Sequence, residues 1–355
     1  LWRALLADVA AAGGSALAGQ GRAAVHEAFL RRVDAWPEGS ERPAGLPRRV
    51  IVFGISSMPR QSLEVLAALV VQQGVILDLV VVDSGSRDQT LAIAKKYGAR
   101  ITEIPPHTFN HGSTRDQGIA LAKQDVVVLM TQDATPESPY LLQHLVAAFD
   151  DPKVGGAYAR QIPRPDADVL TKRNLGLAMT GRLVSEVRSL PNLAAWQNMQ
   201  PYERFALCNF DNVCSALRKQ AWASIHFGKV AFAEDIEWSR KALEAGWHLA
   251  YVAEACVIHS HDRPLRYDFQ RTYLTHRKLY EQYQFSTVPT LLRALGGIYY
   301  TFRADWHHIR HTEPSRKRKL KWLCVLPFLT IACVMGQYIG ARDERLGKGK
   351  DIAGI

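Results

Sequence analysis

The residues able to do chemistry sit where apolar runs stop. Val80-Val81-Val82 closes on Asp83, the turn Ser84-Gly85-Ser86 follows, and Asp88 and Thr90 come next. A β-branched run ending in an acid puts the carboxylate at the carboxyl end of a buried strand, the edge at which open α/β sheets bind ligands. A carboxylate there can accept from the N3–H of uracil or thymine; an aspartate that only caps its own turn has the same signature. The device recurs at Val126 to Met130, which runs into Thr131-Gln132-Asp133. Two acids on one edge suit one that reads a base and one that holds a divalent cation beside a diphosphate.

Three further groups belong with these. Ala233-Glu234-Asp235 opens a helical stretch, where a carboxylate can take the proton of an attacking hydroxyl, or simply cap the helix. The helix dipole and the neighbouring like charge push Asp235 in opposite directions, so the sequence gives no net pKa direction. Asp211 and Asn212 precede a strand and can line a pocket, as turn residues also do. His259-Ser260-His261 follows an apolar strand and offers two imidazoles, able to meet a metal, a phosphate or an acceptor. Arg115, in the first turn of a helix behind Gly112, suits an anion such as a diphosphate; the competing reading is a surface arginine paired with Asp116 or Asp88.

The elements that must carry these groups divide the chain into three parts. Residues 1–47 read as a helical extension and a Gly/Pro-rich linker. Residues 48–265 alternate strands (49–55, 79–83, 100–104, 125–131) with helices (62–73, 88–97, 113–123), which predicts an α/β fold on a mostly parallel sheet covered on both faces. Residues 266–355 read as helices. Among them the basic run Ser315-Arg316-Lys317-Arg318-Lys319-Leu320-Lys321 meets the apolar stretch Trp322 to Gly340, at about 19 residues the lower edge for crossing a bilayer. Basic residues beside an apolar helix with Trp at the junction predict peripheral contact with an anionic membrane surface, with a helix buried in a bundle as the alternative.

Composition narrows the function. A formal charge of +10 asks for an acidic partner. The basic residues gather beside an apolar helix and not along an aromatic-studded groove, which argues against nucleic acid. No G-x-G-x-x-G follows the first strand, which argues against a dehydrogenase. The five cysteines form no C-x-x-C pair and read as reduced, buried thiols. No secretory leader is visible, and a first residue of Leu suggests a trimmed chain.

Taken together, Val82-Asp83-Ser84-Gly85-Ser86-Arg87-Asp88-Gln89-Thr90, Phe109 to Asp116, Gln132-Asp133-Ala134 and Ala233 to Arg240 with Ala245-Gly246-Trp247 resemble, in order, the motifs of family 2 glycosyltransferases. The resemblance covers residues 50–265. It implies a GT-A fold with Asp83, Ser84, Ser86, Asp88, Arg115 and Gln132 on the nucleotide sugar, and Mg²⁺ or Mn²⁺ on Asp133 and His259. It also implies Asp235 as the base of an inverting transfer, with Glu234, Asp211, Asn212 and His261 toward acceptor or pocket. Gln132 and Ala134 depart from the D-x-D pattern, which puts the metal in doubt and keeps a non-catalytic nucleotide-sugar-binding scaffold in play. The segment 109–116 resembles the bacterial rhamnosyltransferase branch. That implies dTDP-L-rhamnose as donor and a lipid-linked glycan as acceptor, in surface-polysaccharide synthesis such as that of O-antigen, at the cytoplasmic face of the inner membrane. A UDP-sugar donor (hexose, galactofuranose or N-acetylhexosamine) is the alternative. Nothing in the sequence speaks to the oligomeric state.

Overall fold

Apolar β-branched runs make the centre of the molecule. In the computed structural model, which describes residues 49–55, 76–230, 232–261 and 264–349, they form β1 (Arg49–Ile55), β2 (Ile76–Leu77) and β3 (Val80–Asp83). Helix α1 (Thr90–Lys96), β4 (Arg100–Glu103), α2 (His111–Leu121) and β5 (Val126–Thr131) follow. The extension expected over 1–47 and the helix expected over 62–73 lie outside the described residues. Beyond β5 come β6 (Thr135–Pro136), α3 (Leu141–Ala147), β7 (Val154–Ile162), α4 (Val169–Leu177) and β8 (Glu186–Arg188). Short helices α5 (Leu193–Asn198) and α6 (Pro201–Cys208) lead to β9 (Cys214–Arg218), α7 (Lys219–Ser224), α8 (Glu234–Glu244) and the long strand β10 (His248–Ile258).

The strands form one sheet in the order β4-β3-β1-β5-β9-β7-β10-β6, with β2 beside β1 and β8 beside β10. β1 is parallel to β2, β3 and β5, β3 to β4, and β7 to β10. β9 runs antiparallel to both β5 and β7, and short β6 and β8 run antiparallel to β10. The sheet is therefore mostly parallel, with one reversed strand at its centre. Successive side chains leave a strand on opposite faces. Val80 and Val82 accordingly join one core with Leu129, Tyr158 and Trp238, and Val81 joins the other with Met130, Leu141 and Ala157.

Three helices follow the sheet: α9 (Leu265–Tyr283), α10 (Leu291–Thr312) and α11 (Arg316–Arg345). α9 is anchored in the second core by Leu279 and by Tyr283, which is fully buried. α11 lies parallel to it, with Arg277 of α9 bonded to Glu344 at 2.7 Å. The approach is close because Gly336 and Gly340 have no side chains. A Cβ at Gly340 would stand 2.2 Å from the Tyr273 carbonyl oxygen, and one at Gly336 would stand 3.0 Å from Thr272 Cβ. α10 and α11 form an antiparallel hairpin around Ile309 and Leu326, and Arg173 of α4 pairs with Asp305 of α10.

The basic run belongs to the first turns of α11 and not to a loop, and the helix continues through Pro327. Among the described residues α11 is the one helix long and apolar enough to cross a membrane, and 28% of its apolar window is buried. Cys208 and Cys214 are buried, as the sequence suggests for all five cysteines, whereas Cys324 faces solvent on this helix.

Forcing a side chain into the glycine contact should separate α11 from α9. Gly340→Val is expected to lower stability by about 1–3 kcal/mol, the usual cost of overpacking, read by urea denaturation. An unchanged midpoint would mean that the two helices do not depend on this close approach.

Candidate active site

Strands that run with β1 bring their last residues to one edge: Asp83 ends β3, Thr131 ends β5, Ile162 ends β7 and Ile258 ends β10. Because β9 runs the other way, its entry, Asp211-Asn212-Val213, reaches that same edge. One reversed strand thus adds two polar side chains to the edge where open sheets take ligands.

Asp133, just past β5, meets the residues that follow β10. His259 Nε2 lies 3.6 Å from Asp133 Oδ1, and His261 Nε2 lies 3.3 Å from Oδ2. The two imidazoles stand edge to face at 4.5 Å. Ligand atoms of all three residues fall within 4.8 Å of one another, a group that could hold a metal ion. His261, assigned to the acceptor or pocket from sequence, thus stands with this trio.

A hydrogen-bonded line fixes His259. Gln161 Nε2 donates to Asp211 Oδ2 at 2.6 Å, so its Oε1 is left to accept, and His259 Nδ1 lies 2.8 Å from it. Asp211 is itself held by the Val213 amide at 2.7 Å. Nδ1 therefore carries a proton, and Nε2 faces Asp133: protonated, it donates to that carboxylate; deprotonated, it offers a metal its lone pair. Burial would raise the Asp133 carboxyl, but the hydrogen bond and charge of His259, with the charge of His261, outweigh it and hold Asp133 well below the usual carboxylate range. One anionic oxygen and two imidazole nitrogens are donors that a divalent transition metal can take.

Beside this trio lies a cavity of about 320 Å³, lined by Arg115, Asp211, Asn212, Glu234, Asp235 and Arg271 among others. It exists because two loops close on each other. Asn110 caps α2 by accepting from the Ser113 amide, and its own amide group donates to the Val230 carbonyl at 3.0 Å. Gly112 lets the backbones meet, since a Cβ there would stand 2.1 Å from the Gly228 oxygen. Asp116 grips the other side, accepting from the Trp222 indole at 2.7 Å and from the Phe227 and Gly228 amides. The clamp drives Arg115 inward, where it is 4% exposed and ion-paired with Glu234. Arg115 is thus neither the open anion site expected from sequence nor a surface partner of Asp116 or Asp88.

The adjacent acids respond in opposite ways. Burial would raise Glu234, but the charges of Arg115 and His111 prevail and lower it. For Asp235 the outcome reverses: burial first, then the charges of Glu234 and Asp211, outweigh Arg115 and push it up to about 8. Its oxygens accept from the Ile236 amide at 2.8 Å and the Asn212 amide at 3.3 Å. Burial also raises Asp211. Ala233, just before the pair, is left-handed at φ 58°, a strained state for a residue with a Cβ. Neighbouring carboxyls driven apart in this way are the pattern of a charged support beside a proton acceptor.

Asp83 is fully buried and its oxygens accept from the Gly85 and Ser86 amides at 2.8 and 2.9 Å and from the Ser86 hydroxyl. These are the bonds of the turn-capping role. Asp88, exposed, accepts from the Thr90 amide at 3.0 Å, and hydrogen bonding to Thr90 lowers its pKa. Ser84 and Gln132 are half-buried, Ser84 in the turn after β3 and Gln132 in the turn after β5. Gln161, Arg271 and Lys278 were not singled out from sequence; the first lies inside a strand and the others on a long helix, with no motif to mark them.

Residues 62–219 match the Glycosyl transferase family 2 model. The chain's fold is GT-A. The chain is 33% identical over 202 residues to the O-antigen chain rhamnosyltransferase WbaN of Salmonella anatum, and 30% identical over 203 residues to RfbN, of the same description, from Salmonella typhimurium. Each match takes in 56% of this chain and 61% of the relative, so the chain spans about three fifths of the length of the curated relatives it matches. The solved mannosyltransferase PcManGT from Pyrobaculum calidifontis, in complex with GDP-Man and Mn²⁺, superposes with a TM-score of 0.53 at 15% identity, covering 98% of this chain and 100% of that one. A second model, RecC, N-terminal domain, matches residues 1–81, most of which lie outside the described residues.

The Asp211–Gln161–His259 line makes a direct prediction. Gln161→Met is expected to weaken Mn²⁺ binding roughly 10- to 100-fold, as loss of an outer-shell partner usually does, with little change in melting temperature. Calorimetric titration with Mn²⁺ alone reads it, and unaltered affinity would detach Gln161 from the metal position.

Proposed function

We propose that this chain is an inverting glycosyltransferase that moves a sugar from a nucleotide diphosphate donor to a hydroxyl of a lipid-linked glycan. The observation that carries the reading is the division between Glu234 and Asp235: one carboxyl held charged by Arg115, its neighbour raised to about 8 and lining the same cavity. A carboxyl with a pKa near neutrality, only partly exposed beside a cavity, is suited to take a proton from a weak acid.

Asp235, once ionised, accepts the proton of the acceptor hydroxyl. The hydroxyl oxygen forms its bond to the anomeric carbon as the bond from that carbon to the donor's diphosphate breaks, which inverts the centre. Glu234 and Arg115 keep the loop and the local charge fixed. Arg271 and Lys278 line the cavity and supply positive charge near the departing diphosphate. Asp133, His259 and His261 would hold a divalent cation, which when bound neutralises charge on the leaving diphosphate.

The relatives are described as O-antigen chain rhamnosyltransferases, which supports dTDP-L-rhamnose as donor and a lipid-linked glycan as acceptor. Peripheral contact with the cytoplasmic face of a membrane fits the basic start of α11 and its exposed Leu320, Leu323, Phe328 and Ile331. Titration with dTDP, UDP and GDP, each with and without Mn²⁺, tests the donor. Metal-enhanced dTDP binding supports rhamnosyl transfer, a UDP preference replaces the donor, and binding of none removes the reading.

Asp235→Asn is expected to lower kcat by roughly 10²- to 10⁴-fold, the usual contribution of a general base, with nucleotide affinity retained. Nucleotide binding lost along with turnover would assign Asp235 to the donor instead. In the wild type, kcat/KM should rise with pH through about 8 as Asp235 ionises beside Glu234, Asp211 and Arg115; a flat profile from pH 6 to 9 would remove it as base. The same substitution bears on stability. Between about pH 4 and 8 the native Asp235 keeps a proton that an unfolded carboxyl has lost, so native stability falls as pH rises across that window. Asp235→Asn should therefore raise the melting temperature at pH 9 more than at pH 5, and an equal effect at both would contradict the raised pKa.

A further inference from the structure

A second cavity, about 900 Å³ in volume, lies among α4, α9, α10 and α11. It borders the first: Arg271 and Thr275, one turn apart on α9, line both, and His261 of the Asp133 trio lines the larger one. Its size is that of a substrate site. Its wall is mixed, with Asn174, Asp268 and Thr301 beside Trp322, as suits the hydroxyls and flat faces of sugars. Thr330 is 2% exposed, lines the cavity, and its hydroxyl has no hydrogen-bond partner. A buried hydroxyl left unsatisfied costs stability unless a ligand completes it.

The far rim carries the opposite polarity. Arg316, Lys317, Arg318, Lys319 and Lys321 crowd the first turns of α11 with no acid in the first turn. That is the positive end of the helix dipole, where cations are unfavourable and anions are favoured. Glu313 offsets one of them, 3.8 Å from Arg318. Arg318 and Lys321 line the cavity. Beyond them α11 exposes Leu320, Leu323, Phe328 and Ile331, spaced as one face of a helix.

We propose that this cavity seats the acceptor: a glycan joined through phosphate to a lipid. The glycan lies toward Arg271 with its reacting hydroxyl presented to Asp235, and the phosphate sits against Arg318 and Lys321. The lipid runs onto the exposed face of α11. Phosphate and apolar chain are required together, because the cations and the apolar face share one end of one helix. This assignment rests on the glycosyl-transfer reading and gives the acceptor a place in it.

The test uses the full chain in detergent micelles with farnesyl diphosphate bearing one galactose and a benzophenone on the terminal isoprene. The matched farnesyl galactoside lacking phosphate is the second arm. Irradiation should attach the diphosphate probe to peptides of α10 and the first half of α11. Labelling should fall at least tenfold in Asn174→Trp, which fills the groove at an exposed position, and in the double variant Arg318→Gln/Lys321→Gln. Both variants should keep the wild-type melting temperature and nucleotide affinity. Adducts elsewhere, labelling that Asn174→Trp leaves undiminished, equal labelling by the phosphate-free probe, or none would overturn the proposal. Wild-type chain that takes the probe in the groove but binds no nucleotide would fail the glycosyl-transfer reading instead.

Discussion

Much of the site depends on one buried ion pair. Arg115 offers the cavity's carboxyls a positive charge from inside the protein, and Glu234 takes it. Asp235, next in sequence and close to Asp211, is left with two negative neighbours and little solvent, so it holds its proton to a pH far above that of an ordinary aspartate. Remove the guanidinium and Glu234 would lose the partner that keeps it charged, and with it the difference between the two acids. The clamp made by Asn110, Gly112 and Asp116 reads as the means of holding that guanidinium in place.

The second organising feature is the reversal of β9. A wholly parallel sheet would bring only strand ends to the ligand edge. One antiparallel strand brings a strand start there as well, and with it Asp211, which orients Gln161 and through it His259. The carboxylate that raises Asp235 also orients, through Gln161, the ring of His259, so the raised acid and the Asp133, His259 and His261 group are joined through a single residue.

How much of this could be read from sequence follows from how local each cause is. Asp83 and Asp133 were legible because β-branched runs stop at them, and the strands proved to end where the runs do. The helical character of the stretch beyond residue 266 was legible too, and α9, α10 and α11 carry it. The direction of the Asp235 shift was not: helix dipole and neighbouring acid oppose each other locally, and the deciding terms are burial and Asp211, which lies far away along the chain. The fate of Arg115 was hidden for the same reason, since its partner is 119 positions distant. Gln161 lies within an apolar strand and Arg271 within a long helix, where no turn or motif gives either away. The reversal of β9 left no mark either, because a buried strand reads the same in both directions.

The parallel packing of α9 and α11 acts as a measuring rod. The close contact of Gly336 with Thr272 fixes the register of the two helices at the level of Arg271. Roughly fifteen residues of α11 separate that level from Lys321, about 22 Å at the rise of an α-helix. Were the groove to seat the acceptor as proposed, with one end at Asp235 and the other at Arg318 and Lys321, the glycan between phosphate and reacting hydroxyl would have a defined length. A shorter chain would reach one end only, and a longer one would have to buckle. The helix pair would then count sugars, admitting a glycan at one stage of its growth and releasing it once another unit is added.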